Sequence, residues 1–283
     1  MTQLPQEVAF SDLDWKAMTA GRFWQTTDAI QDSTLKDAKL LFSYLENAEP
    51  GILGAILLQY RHFTVYYIPD LALLIARLGD GGLRSFLADV LYDELGSGDP
   101  ARAHPRLYDD FLTSIGVAAD GLNETALLSN VRLLDDARKH LIDPRNSNAF
   151  AVGLRGMGGE CVCQVYIAQL YESLIKNPFI RENRDRIDWR FWDLHVGEHD
   201  LAHRDQTRAL IDSEIVSKGG PDLEALGRGY AHSMRSWRAF WENIFKLASP
   251  SAARFPRAMV EPTVNVMLYP LAETQPPALH PIT

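Results

Sequence analysis

Along most of the chain apolar residues recur at three- and four-residue intervals. No stretch alternates apolar and polar residues with the period of two that a half-buried strand requires. The pattern predicts about nine helices and no sheet. Asp12 to Ile30 and Leu35 to Ala48 read as an amino-terminal pair. Pro50-Gly51 opens a long segment, Ile52 to Leu78, which Pro69 is expected to kink or divide, because proline lacks the amide proton and crowds the preceding turn. After the turn Gly79 to Gly82, a helix over Leu83 to Leu95 stops at Gly96 and Gly98, residues that end helices readily. His104-Pro105 opens the next helix, which runs to Ile115 and ends at Gly116. Asn123 caps a helix over Glu124 to Leu141, broken by Asp143-Pro144. A long apolar helix, Asn146 to Lys176, ends at Asn177-Pro178, and Asp188 to Ser213 and Leu223 to Leu247 complete the set. From Ser249 onward seven prolines and few charges predict a non-helical tail. With no internal repeat and no low-complexity linker, residues 1–283 read as one helical domain with that tail from about 249.

Composition narrows the function classes. Hydrophobic residues are 46% of the chain and charged residues 23%, enough apolar surface for a core that needs no disulfides. Cys161 and Cys163 are two apart and would point roughly 200° apart on a helix, so they do not bond to each other. Met1 to Phe10 lacks the basic start and apolar stretch of a signal peptide, and the longest apolar run, Ile52 to Leu58, is too short to span a bilayer. The formal charge of −9 disfavours nucleic acid and anionic membrane as partners. A cytoplasmic protein acting on a small-molecule substrate is the expectation.

Three segments carry candidate chemistry. In Asp93-Glu94-Leu95-Gly96-Ser97-Gly98, followed by His104, an acid ends one helix and an imidazole opens the next. The glycine joint lets them converge on a metal suited to oxygen and nitrogen donors; alternatively they are a solvated acid and a helix-capping histidine. In Gly156-Met157-Gly158-Gly159-Glu160, three glycines sit inside an apolar helix, each at a cost of roughly 1 kcal/mol. Something must approach that backbone closely, either a neighbouring helix or a ligand. Glu160 then either binds a metal, because a buried unpaired carboxylate is expensive, or escapes to the surface. His195-Val196-Gly197-Glu198-His199-Asp200-Leu201-Ala202-His203 holds three of the chain's eight histidines within nine residues. His195, His199 and His203 are spaced by four and share a helix stripe, and Asp200 is three before His203. Carboxylates and imidazoles on facing helices suit non-haem iron, and no cysteine is required as a ligand.

Together these motifs resemble the haem-oxygenase-like diiron oxidases, also called iron-containing redox enzymes, over about Leu41 to Leu247. Glu94 with His104 ten residues on matches the family's first ligand pair, Glu160 matches the glutamate of the next core helix, and His195, Asp200 and His203 match its last motif. One departure stands out: the family spacing from His195 places the aspartate at His199 and the histidine at Ala202. Either a π-bulge absorbs one inserted residue and keeps Asp200 as the ligand, the preferred reading, or His199 replaces the aspartate.

The resemblance implies an all-α, haem-oxygenase-like (TenA-like) bundle of seven helices. It also implies two iron ions, cycling between Fe2+ and Fe3+, held by Glu94, His104, Glu160, His195, Asp200 and His203. Dioxygen is then the co-substrate, with a reductant the sequence does not name. The implied reaction is N-oxygenation, desaturation or oxidative cleavage of an amino-acid-derived small molecule in natural-product biosynthesis. Rival readings are fatty-acid-type oxidative decarboxylation at the same site, a cofactor-free or thiaminase-like enzyme using Cys161, and a catalytically silent interaction bundle. A homodimer is the permitted assembly. Outside the motifs, His62 reads as a core or supporting histidine, Arg155 as a surface salt bridge or a carboxylate anchor, and Trp237, Phe240 and Trp241 as core.

Overall fold

A computed structural model describes residues 13–118, 126–196 and 198–248; the side chains of residues 37, 39, 40, 198–200, 247 and 248 lie outside the description. Among the described residues all regular structure is helical. The helices are α1 (Ala20–Leu45), α2 (Pro50–Arg77), α3 (Gly82–Glu94), α4 (His104–Ser114), α5 (Leu128–Ile142) and α6 (Asn148–Ala151). A π-helix follows over Val152–Glu160, then α7 (Cys161–Leu174), α8 (Pro178–Glu182), α9 (Arg190–His195), α10 (Glu198–Glu214) and α11 (Gly220–Ala248). The tail after residue 248 and the capping residue Asn123 lie outside the described residues.

Three departures from the sequence pattern have a local reason. The amino-terminal pair is a single helix, α1. Asp32-Ser33-Thr34 looks like a helix start, but the Thr34 hydroxyl donates back to the Ile30 carbonyl at 2.9 Å, which satisfies it inside a continuing helix. Pro69 does not divide α2. Its neighbours Tyr66, Tyr67, Asp70 and Leu71 are all buried, and their packing outweighs the roughly 3 kcal/mol a proline costs a helix interior. The glycine-rich stretch is not a plain helix but a nine-residue π-helix, a form found frequently at functional sites.

Helix α11 is the spine, packed along α1, α5, α6 and the π-helix. The closest approach is backbone to backbone. A Cβ on Gly153 would overlap the Leu226 carbonyl oxygen and sit 2.8 Å from the Tyr230 nitrogen; one on Gly229 would overlap the Phe150 carbonyl oxygen. Neighbouring helices explain two of the three motif glycines: Gly158 makes room for Ser233 and Gly159 for the Tyr67 ring, while Gly156 has only ordinary contacts with its neighbouring helices. Trp237 locks this crossing by donating its indole N–H to the Gly158 carbonyl at 3.0 Å. Around it Trp237, Phe240 and Trp241 are core, as their spacing predicts, with Trp237 4.4 Å from Phe63 and 4.7 Å from Tyr166 between ring centres. A second pin is ionic. Asp70 of α2, wholly buried, takes the Arg155 guanidinium of the π-helix at 2.7 Å and Arg138 of α5 at 2.7 Å.

Candidate metal centre

Glu94 is the last residue of α3 and His104 the first of α4. The joint between them turns tightly through three successive residues with positive φ, Gly96 (88°), Ser97 (55°) and Gly98 (92°). A Cβ at Gly96 would fall 2.6 Å from the Ala103 nitrogen, so glycine is required there. Ser97 tolerates the conformation because both its ends are tied: its hydroxyl donates to Asp93 at 3.0 Å and its carbonyl accepts from the Tyr92 hydroxyl at 2.8 Å. The turn brings His104 Nδ1 to 3.1 Å from Glu94 Oε2, with Asp93 Oδ2 4.0 Å from the other ring nitrogen. His104 is 8% exposed and Glu94 17%, so neither the solvated acid nor the simple cap describes this pair.

His195, the last residue of α9, comes to the same place. Its ring lies 4.7 Å from the His104 ring, edge to face, and the donor atoms of Glu94, His104 and His195 all fall within 4.8 Å of one another. His195 Nδ1 is 2.7 Å from the Phe191 carbonyl oxygen. A carbonyl can only accept, so Nδ1 carries the proton and Nε2 keeps its lone pair. The Phe191 ring, stacked at 4.1 Å, fixes the imidazole plane. Burial, then the His104 charge, holds His195 down at about 4. Burial alone would raise the Glu94 carboxyl, but the His104 and His195 imidazoles outweigh it and keep Glu94 below its ordinary value.

These three residues line a cavity of about 40 Å³ together with Glu160, His203, Tyr60, Phe63, Thr64, Tyr67, Cys163, Gln164, Ile167 and Phe191. The space suits a few water-sized guests. Glu160 closes the π-helix and accepts a hydrogen bond from the Tyr67 hydroxyl. His203, on α10, packs edge-on against Phe86 of α3 at 5.8 Å. Glu160 and His203 share the wall but are not in the tight group of three. Asp200 and His199 stand on α10, and their side chains are outside the described residues. Helix α9 ends at His195, Val196 caps it, and α10 begins at Glu198, with Gly197 outside the described residues.

Sequence reasoning missed Tyr67. The spacing of Tyr60, Phe63, Thr64 and Tyr67 marks one face of α2, but aromatics at that spacing read as core; only the neighbouring carboxylate separates Tyr67 from them. His62 falls off that face and is buried, consistent with its omission from the site. Arg155 is neither on the surface nor open to a carboxylate from solvent: it is 4% exposed and paired with Asp70. Cys161 is buried, and burial pushes its thiol up to about 12, so it stays protonated at neutral pH; the cavity-lining cysteine is Cys163.

Comparison with known proteins follows this geometry. A family model described as iron-containing redox enzyme matches residues 55–214, more than half the chain. No curated protein matches the sequence. Among solved structures, the fold is similar to a TenA homolog from Pseudomonas syringae pv. tomato, with TM-score 0.64 and 14% identity over 81% of this chain and 96% of that one. It is also similar to a CADD-like protein of unknown function from Nostoc punctiforme, with TM-score 0.59 and 16% identity over 80% of this chain and 98% of that one. At such identities the likeness establishes the fold, a TenA- and CADD-like helical bundle. Among the described residues no helix is long and apolar enough to cross a membrane.

Proposed function

Because the chain belongs to the iron-containing redox enzyme family, we propose that it is a non-haem diiron oxidase holding its metals through Glu94, His104, Glu160, His195, Asp200 and His203. The reading includes dioxygen as co-substrate and oxidation of an amino-acid-derived small molecule by N-oxygenation, desaturation or cleavage. One observation carries it: the donor atoms of Glu94, His104 and His195 lie within 4.8 Å of one another on the wall of a buried cavity that Glu160 and His203 also line.

The donor set fits iron. Mixed carboxylate and imidazole ligands suit the divalent ion, and the acids offset its charge. His195 already has the arrangement of a metal-binding histidine, its far N–H tied to a backbone carbonyl and its near nitrogen bearing the lone pair. Bound iron would supply the one-electron chemistry that lets dioxygen oxidise an organic substrate. The protein's own residues do the rest. The Tyr67 hydroxyl holds the Glu160 carboxylate in one orientation, and Phe191 holds the His195 ring. Tyr60, Phe63, Ile167 and Phe191 present an apolar lining that excludes bulk water.

The test is anaerobic loading with ferrous iron, removal of free metal, iron analysis and then oxygen uptake. The expected result is iron retained by the wild-type protein, with Glu160→Ala holding less and consuming no oxygen. A wild-type protein that retains no iron, or a fully active Glu160→Ala variant, overturns the proposal.

A further inference from the structure

A second group of metal-type donors lies away from the cavity. Asp136 and His140 are one turn apart on α5, and His232 reaches them from α11. His232 Nε2 is 2.9 Å from Asp136 Oδ2, and His140 Nε2 is 3.8 Å from the same oxygen. The two rings meet edge to face at 4.6 Å between centres, and all three donor atoms lie within 4.8 Å of one another. Tetrahedral zinc with bonds of about 2.0–2.1 Å needs donors roughly 3.4 Å apart. The observed separations bracket that value, so small rotations of the side chains suffice.

We infer that Asp136, His140 and His232 form a second metal site, for a zinc-like divalent transition ion, that clips α5 to α11. Two imidazoles and one carboxylate select a borderline metal over magnesium or calcium, which prefer all-oxygen shells. The side chains are 51%, 35% and 21% exposed, so water completes the coordination and the ion exchanges with solvent. Phe150 packs beside both rings, at 5.7 Å from His140 and 6.4 Å from His232, and gives the site an apolar floor. His232 lies below the ordinary histidine value, through burial first and then the neighbouring His140, with Asp136 opposing and Arg235 adding to the shift. The neutral ring is the form that ligates. Asn146 Nδ2 is 3.2 Å from His140 Nδ1 and fixes that ring with Nε2 toward Asp136. Ligation at Nε2 puts the His140 proton on Nδ1, so the Asn146 amide must draw away from Nδ1 while its N–H keeps the His140 carbonyl, to which it donates at 3.0 Å. The site stands on these residues alone and does not depend on the iron reading.

The test is titration of the full-length protein with Zn2+ against a chromophoric chelator. Wild type is expected to hold one more zinc ion than His232→Ala. The same difference is expected when His232→Ala is added to a Glu94→Gln/His195→Ala background, where the cavity ligands are impaired. Should His232→Ala fail to fold by circular dichroism, the more exposed His140→Ala takes its place. Equal zinc content with and without the histidine, in both backgrounds, overturns the site. If instead Glu94→Gln/His195→Ala takes up as much iron as wild type, the iron reading fails while this difference stands.

Discussion

Replacing Asp70 with asparagine keeps the shape of the side chain and removes the charge that holds two arginines. Asp70 is fully buried, and the Arg155 side chain is 5% exposed, so the substitution strands a guanidinium in the interior. Breaking a buried pair in this way costs about 3–5 kcal/mol. The Arg138 partner is 32% exposed and is screened by solvent, so its lost pairing adds no more than about 1 kcal/mol. Asparagine still accepts one guanidinium hydrogen bond, which places the expected loss near the lower bound, about 3 kcal/mol. For a chain of this size that is a fall of roughly 6–12 °C in Tm, at about 2–4 °C per kcal/mol. Thermal or urea unfolding followed by circular dichroism measures it. The double variant Asp70→Asn/Arg155→Met removes the stranded charge, and it should recover more than half of the loss. The reasoning is refuted if Asp70→Asn unfolds within about 1 kcal/mol of wild type, or if the double variant is no more stable than the single one.

Further consequences follow from other residues. Tyr67→Phe removes the donor that orients Glu160 and should weaken iron binding by roughly 10–100-fold, read by competition with a ferrous chelator, with the fold unchanged. Gly96→Ala forces a side chain into positive φ against the Ala103 backbone; a loss of about 1–2 kcal/mol or more is expected in urea unfolding, with reduced iron retention because His104 is displaced. His62 is held down to about 4 by burial and then by Arg61, and among the described residues its Nε2 has no hydrogen-bond partner. The unfolded chain takes up that proton first, so stability present above about pH 6.5 is lost as pH falls toward 4. His62→Leu should lose about 3 kcal/mol less than wild type between pH 7 and 4, measured by urea midpoints at each pH.

The all-helical fold was legible because burial on one face imposes the 3.6-residue period, and α2, α3, α4 and α11 fall close to where that period places them. That Glu94 and His104 would converge was legible because Gly96 and Gly98 mark the tight joint between them, whereas the approach of His195 to the pair depends on helix packing. Periodicity did not reveal the π-helix. Five-residue turns look like ordinary helix over nine residues, and only the contacts of Gly158 and Gly159 with Ser233 and Tyr67 explain those two glycines. Asp188 to Ser213 reads as one helix in the sequence pattern, yet α9 ends at His195 and α10 begins at Glu198. A lone sequence carries no signal for choosing between the two, because Val196-Gly197 permits either. The Asp136, His140 and His232 group was invisible for a different reason: α11 supplies its third member from far along the chain.

The backbone crossing at Gly153 and Gly229 constrains which positions can drift. Any side chain larger than hydrogen at Gly229 must push α11 off the Phe150 carbonyl, and the displaced segment leads directly into the helical turns that end at Glu160. A position about seventy residues downstream, with no atom on the cavity wall, therefore helps to set where the cavity-lining Glu160 carboxylate sits. Homologues that vary there would have to compensate across the crossing, and a mutational survey confined to the cavity would overlook one of its determinants.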